Sequence, residues 1–396
     1  MHTTYSGSYD SIIIGGGVIG AFLLRELSRY DLSVLLLEKE SKLAQHATTH
    51  NSALIHPAIM IDPQKGPLKC ALAEKGNRMY EQLKAELDIP LRATGGLLLA
   101  KDETEVDQLR QKIESARDRG LEDEVGLLDY DEVHQREPNL QPGILAALNM
   151  PTTKTSTMEE VSEKITGNAL AHGAEIHRGK QVRTIQPESG GSSFTLTTSD
   201  GSRYGCNFLM NAAGAFAEQV ARMVEEHPRY RITPRRGEYL VLSESAGDFV
   251  RHALYPPPTS QGKGVLVIPQ PNGTIRLGPT STPQQSPEST PVTENGLAEI
   301  RAALAKIARN IPYDKVIDTY AGVRASCDYR DFFLKNSSEY PNFIHVAGID
   351  SPGVTSAPAL AEYVVNSLFQ PLGHFTRKDS FDASRGSQFE NAQILI

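Results

Sequence analysis

The chain has 396 residues, enough for two domains that each enclose a core. With 39% hydrophobic residues, 22% charged residues and a net charge of -8, it reads as an ordinary globular protein rather than a general nucleic-acid binder. A local basic pocket remains compatible with that balance.

In chain order, residues 11–14 form a short apolar run after Asp10. The stretch GGGVIGAFLLRELSRY follows, with apolar residues at helical spacing, and then LSVLLLEKE, a buried β run ending in an acid. The apolar run at 12–24 is glycine-rich and too short to span a membrane. No Lys or Arg precedes it, as a signal peptide would require. Within this β-α-β unit, Gly15-x-Gly17-x-x-Gly20 follows the strand and opens the helix. The first glycine permits a tight turn, the second lets a pyrophosphate approach the backbone, and the third allows close helix–sheet packing. Glu38, at the end of the second run, is placed to accept hydrogen bonds from ribose hydroxyls; a solvent-facing strand end is the plainer alternative. A dinucleotide is expected, and the unit by itself serves NAD or FAD.

The segment HNSALIHPAI at 50–59 is too polar and broken for a core strand. Beyond it, a long amphipathic helix is predicted over 63–87, its start delayed by Pro67, then one strand over 90–102 and a charged, solvent-facing helix over 103–119. A helix over 157–172 precedes GAEIHRGKQVRTIQ and a hairpin turning at Asp200-Gly201. Residues 234–281 alternate as an antiparallel sheet does, and 294–311 return to helix. The last unit, NFIHVAGIDSPGVTSAPALAEYVVNSL, reads as strand, glycine-rich loop and helix, with a polar surface tail after residue 368. Nucleotide-type segments at 10–40, 175–215 and 340–370 are thus interleaved with other material. The expected fold is α/β: a discontinuous Rossmann-like FAD-binding domain (1–62, 150–224 and 316–396) with an inserted antiparallel-sheet substrate domain (63–149 and 225–315). FAD is favoured over NAD by two later small-residue loops, FLMNAAG with Ala213 and Gly214, and HVAGIDSPGVTSAP, which a longer cofactor would use. Cys70, Cys206 and Cys327 form no CxxC pair, so small buried thiols in a reducing, cytoplasmic setting are expected.

Seven segments carry a family likeness in order: IIIGGGVIGAFLLRELS, HNSALIH, PRRGEY, GKGVLVIP, LGPTS, AGVR and AGIDSPGVTSAP. With them the chain resembles the FAD-dependent oxidoreductases of the D-amino-acid-oxidase type. Within that group it resembles the short glycerol-3-phosphate oxidases and the dehydrogenase A-subunit-like proteins. The resemblance covers nearly the whole chain. It implies FAD-dependent oxidation of a small anionic secondary alcohol, sn-glycerol 3-phosphate to dihydroxyacetone phosphate, with oxygen or a quinone-linked carrier as acceptor. The related dehydrogenases often carry a C-terminal cysteine-rich extension that this sequence does not show, so no iron–sulfur cluster is expected; no nucleic acid, metal or membrane span is expected either. A 2-hydroxy-acid dehydrogenase of the L-2-hydroxyglutarate type, which shares HNS…IH, and an amino-acid or amine oxidase stand as alternatives.

The same resemblance makes His56 the base that takes the alcohol proton, a task suited to neutral imidazole; a loop-shaping histidine is the plainer alternative. It places Arg324 on the substrate anion, where a guanidinium fork matches an oxyanion. Lys263 is expected on that anion or near the flavin, and Arg235 and Arg236 form a third basic point. Cofactor contact is implied for Gly15, Gly17, Val18, Ile19 and Gly20, for Glu38 and Lys39, and for Thr49, His50, Asn51 and Ser52. It is implied further along for Val182, Ala213, Gly214, Gly348, Ser351, Gly353, Val354 and Thr355. Departures fall at Ala53, where the family usually has glycine, and at Pro57 and Ala58, where it has small, flexible residues.

Overall fold

The computed structural model describes residues 6–188, 190–257, 264–288 and 291–386. The chain opens with β1 (Gly7–Ile14), α1 (Val18–Leu27), β2 (Val34–Leu37) and the short β3 (Leu54–Ile55). Next come α2 (Pro67–Leu87), β4 (Leu91–Ala93), β5 (Gly96–Ala100), α3 (Glu103–Arg117), β6 (Gly126–Leu128), α4 (Tyr130–Arg136), β7 (Ala146–Met150) and β8 (Lys154–Ser156). The middle holds α5 (Met158–Ala171), β9 (Glu175–His177), β10 (Val182–Pro187), β11 (Phe194–Thr198), β12 (Arg203–Asn211) and α6 (Ala217–Ala221). After it run β13 (Arg235–Leu242), β14 (Ala253–Tyr255), β15 (Leu266–Pro269), β16 (Ile275–Gly278), β17 (Thr282–Pro283) and α7 (Glu294–Leu304). The chain closes with β18 (Val316–Arg324), β19 (Phe333–Asn336), β20 (Phe343–Ala347) and α8 (Gly353–Tyr363).

Among the described residues the strands form sheets of eight, nine and three strands. At the centre of the first, β9, β2, β1, β12 and β20 run parallel, with Ile13 between Leu36 and Met210. The inner stretches of these strands, Ile12–Ile14 of β1, Val34–Leu37 of β2 and Leu209–Met210 of β12, are apolar and buried because both faces are covered. Helices α1, α2, α5 and α8 cover one face, and the β10–β11 ribbon with the segment near Val220 covers the other. The hairpin turn falls at Asp200-Gly201 as the sequence predicts, with Gly201 at φ +84°.

In the nine-stranded sheet, β5 alternates: Leu97 and Leu99 pack with α7 and Val133 of α4, while Leu98 and Ala100 pack with α3. This sheet therefore has two buried faces. The three-stranded sheet β3-β8-β4 is small, but it anchors the end of β3.

Several expectations are corrected. The run at 90–102 is two strands in different sheets, broken at Gly95, whose φ of +63° turns the chain. Helix α3 is amphipathic and not merely solvent-facing, since Val106, Leu109 and Ala116 are buried. Helix α2 begins at Pro67, where a missing N–H is harmless; the carboxylate of Asp331 accepts from the N–H groups of Leu68 and Lys69, both at 2.8 Å. Two segments lie across the expected boundaries: α2 packs into the core of the parallel sheet, and β18 pairs with β13 of the nine-stranded sheet. The tail packs as expected up to residue 386. Phe375 stacks on Phe369, and Asn168 donates to backbone carbonyls of Asp382 and Arg385.

Candidate active site

The carboxyl ends of β1, β2 and β12 open into a cleft of about 1280 Å³, whose opposite wall is formed by Tyr239, Tyr255, Leu266 and Arg324 of the nine-stranded sheet. Ligands of open α/β sheets bind at this edge. The volume exceeds the roughly 300–1,000 Å³ of an ordinary small-molecule pocket, as a dinucleotide together with a substrate requires.

The glycine turn is fixed by close packing. Gly15 has φ +112°, and a Cβ there would stand 2.5 Å from the Ala212 carbonyl oxygen; one on Gly20 would stand 1.9 Å from the carbonyl oxygen of Gly15. Gly17 differs, because its Cβ would meet only the Thr48 hydroxyl, at 3.1 Å. Gly17 is the N-cap of α1, has no side-chain cap, and faces the cleft. The N–H groups at the positive end of the helix thus border the cleft. Gly214, on the neighbouring rim, has open space where its Cβ would be.

Glu38 is 8% exposed and lies at the cleft, with the Gly16 N–H donating to Oε2 at 2.6 Å and the Glu40 N–H to Oε1 at 2.8 Å. Burial pushes its carboxyl above the usual range, and these two donors oppose the shift without cancelling it. The Val18 N–H donates to Thr48 Oγ1 at 2.9 Å, tying the 43–52 loop to the start of α1. The Lys39 ammonium lies 4.3 Å from the ring centroid of Phe216, which also lines the cleft.

The loop after Thr48 is built from its own polar groups. Asn51 Nδ2 donates to the carbonyls of Ala47 and Thr48 at 2.7 and 2.6 Å. The Asn51 carbonyl accepts from Arg276 Nη1 at 2.6 Å and from the Tyr320 hydroxyl at 2.7 Å. Ala53 takes φ +52°, so the family's usual glycine is replaced where a Cβ costs about 1–2 kcal/mol. This loop delivers His56, 5% exposed and lining the cleft. His56 Nδ1 lies 2.9 Å from the Pro57 carbonyl. A carbonyl only accepts, so Nδ1 carries the proton and the neutral ring has its lone pair on Nε2. The His56 N–H donates to Thr355 Oγ1 at 3.1 Å, pinning the loop to the first turn of α8.

On the opposite wall Arg235 of β13 and Arg324 of β18 are cross-strand partners, and both line the cleft. Arg324 donates to the Thr280 carbonyl at 3.1 Å and Arg235 to the Ser281 carbonyl at 2.9 Å. Among the described residues neither has a carboxylate within 4 Å. Gly237 makes room for Arg324, since a Cβ there would stand 2.7 Å from Nη2. Arg236 points to the other face, toward Glu238 at 3.7 Å.

Most residues the sequence nominates therefore meet at one cleft: Gly15, Gly17, Val18, Ile19, Glu38, Lys39, His50, Asn51, Ser52, His56, Val182, Ala213, Gly214, Arg324, Ser351, Gly353 and Val354. Four do not line it. Gly20 packs behind the turn, Thr49 donates to the Ala44 carbonyl at 2.9 Å, Gly348 abuts Cys327, and Thr355 holds the His56 backbone. Lys263 lies outside the described residues. Thr48, Tyr239 and Phe216 line the cleft and were not nominated. Tyr239 was findable, because it shares the strand face of Arg235 by two-residue alternation. Thr48 carried no such signal, since the 43–50 segment has no periodicity.

These residues fit FAD: a helix start at the cleft with a glycine that no backbone crowds, a carboxylate at the second strand, and open space at Gly214. The comparisons agree. The family described as FAD dependent oxidoreductase matches residues 10–367. A glycerol 3-phosphate dehydrogenase of Caloramator mitchellensis is 33% identical over 95% of this chain and 77% of its own. A glycerol 3-phosphate oxidase of Mycoplasma genitalium is 27% identical over 91% of this chain and 94% of its own. The dithionite-reduced L-alpha-glycerophosphate oxidase of Mycoplasma pneumoniae, with FAD bound, superposes with a TM-score of 0.87 at 25% identity, covering 95% of this chain and 98% of that one. With glycine turn, cleft and likeness in agreement, the chain belongs to the FAD-dependent oxidoreductases of the DAO family and its cofactor is FAD.

Proposed function

We propose that this enzyme oxidises sn-glycerol 3-phosphate to dihydroxyacetone phosphate. The observation that carries the proposal is the pairing, in one cleft, of a buried histidine and two guanidiniums that have no carboxylate partner among the described residues. The names of the two glycerol 3-phosphate relatives support the same substrate. Bound FAD supplies the acceptor for the hydride leaving carbon. His56 receives the hydroxyl proton on Nε2, while its Nδ1–H stays on the Pro57 carbonyl and fixes the ring. Arg324 and Arg235 hold the phosphate by charge-assisted, forked hydrogen bonds. Tyr239 and Tyr255, both buried, narrow the wall beside them and exclude water. Oxygen is the proposed final acceptor, following the relatives named as oxidases, and a quinone-linked carrier is the alternative.

A second reading is oxidation of a 2-hydroxy acid, whose carboxylate the same guanidiniums would bind. It is favoured by an L-2-hydroxyglutarate dehydrogenase of Escherichia coli, 28% identical over 91% of this chain. Anaerobic mixing of the holoenzyme with sn-glycerol 3-phosphate, L-2-hydroxyglutarate or glycine separates the readings by loss of flavin absorbance. Glycerol 3-phosphate is expected to bleach the flavin fastest. Rapid bleaching by the hydroxy acid, with none by the phosphate ester, overturns the proposal.

A further inference from the structure

A carboxylate sits at the same cleft. Asp350 lines it, in the turn between β20 and α8, and anion recognition beside it requires that its charge be countered. Its Oδ1 accepts from Lys69 Nζ at 2.7 Å, and its Oδ2 accepts from Ser326 Oγ at 3.1 Å. Ser326 is two residues beyond Arg324, so the carboxylate is tethered close along the chain to the substrate guanidinium.

Lys69 does not line the cleft. It lies in the first turn of α2, with its side chain only 14% exposed and its ammonium 5.2 Å from the centroid of Phe332. The backbone N–H of Lys69 is held by Asp331. A cation in the first turn opposes the helix dipole, so this position does nothing for α2 itself. The pairing with Asp350 gives it a purpose.

We propose that Lys69 is a specificity-determining residue for the anionic substrate: it neutralises Asp350 and holds that carboxylate off Arg324. The inference rests on the anionic-substrate reading above. With Lys69 in place, Arg235 and Arg324 meet the substrate without the opposing charge of an unpaired Asp350. Without it, Asp350 repels the incoming anion or turns onto Arg324 and occupies its fork.

The test uses the FAD holoenzyme and inorganic phosphate as the probe, with Kd read from perturbation of the flavin spectrum. The proteins compared are wild type, Lys69→Met, Lys69→Arg, Asp350→Asn and the double variant Lys69→Met/Asp350→Asn. Methionine keeps the stem packing while removing the charge. Lys69→Met is expected to raise the phosphate Kd about tenfold, a change of about 1.4 kcal/mol, with flavin retained. Lys69→Arg stays near wild type, and the double variant returns toward it because the unbalanced carboxylate is gone. An unchanged Kd in Lys69→Met, or an equal loss in the double variant, overturns the proposal, as does a wild type that phosphate does not perturb. If the phosphate series behaves as expected but glycerol 3-phosphate fails to bleach wild type, the substrate reading falls and the role of Lys69 stands.

Discussion

At the scale of single residues, the mechanism we propose turns on which nitrogen of His56 is committed. The Pro57 carbonyl accepts the hydrogen bond of Nδ1–H, so a substitution should be judged by whether it preserves the loop while removing the proposed base. His56→Gln keeps a neutral, hydrogen-bonding side chain. Flavin reduction by substrate is expected to slow by roughly 10²–10⁴-fold while the flavin spectrum persists. Stopped-flow reduction of both proteins checks this, and a variant within a few-fold of wild type would return His56 to a loop-shaping role. For Arg324, replacement by lysine keeps the charge and loses the fork. The expected cost is about 1.5–3 kcal/mol, or about ten- to a hundred-fold in KM. Steady-state kinetics with the best anionic substrate measures it; an unchanged KM would make Arg324 structural.

At the scale of elements, the turn from β1 into α1 separates two uses of glycine that look alike in GxGxxG. Gly20 has backbone where its Cβ would be, so Gly20→Ala should displace α1 from the sheet and cost about 1–3 kcal/mol of stability as well as flavin. Gly17 has only the Thr48 hydroxyl nearby and an extended φ of -75°, so Gly17→Val should leave the apoprotein folded and abolish flavin retention. Thermal denaturation of the apoproteins, alongside the flavin-to-protein absorbance ratio of each purified variant, tests the distinction. Equal loss of apoprotein stability in both variants would show that Gly17 also serves packing. The β13–β18 pair works on similar terms: Gly237 vacates the space that the Arg324 guanidinium fills, so the proposed anion site depends on a residue with no side chain.

At the scale of the whole molecule, the segment after α6 is tied to the parallel sheet by a buried pair, Glu225 and His345, 3.1 Å apart. Burial pushes the Glu225 carboxyl up, but hydrogen bonds from His345 and Ser337 outweigh it and hold the group below its ordinary range. A depressed folded-state value contributes stability that is present above the ordinary glutamate pKa of about 4.3. That contribution is lost as pH falls below it through the folded value. Melting temperature should therefore drop on acidification from about pH 4.3 downward. In Glu225→Gln that part of the slope should flatten, and an unaltered slope would remove Glu225 from the acid response.

The β-α-β unit, the hairpin at Asp200-Gly201 and the β run of 234–281 were legible because hydrophobic periodicity and turn chemistry are local properties. That the glycine turn, Glu38, His56 and Arg324 would be candidates for a site was legible because each is a fixed residue type inside a recognisable segment, and they do line one cleft. Other features were settled only when distant segments met. Whether Thr48 or Thr49 faces the cleft depends on the fold of a loop without periodicity, and Thr48 is selected by bonding the start of α1, thirty residues away. Thr355 reads as a cofactor contact in its motif, yet it holds the backbone of His56, 299 residues distant. Helix α2 carries an amphipathic pattern that announces a buried face but not its partner; contact with α8 decides that. The pairing of Lys69 with Asp350 has no local signature at all. Sequence fixes what each segment is able to form, through periodicity and residue chemistry, whereas the partner of each buried polar group is decided only by long-range packing.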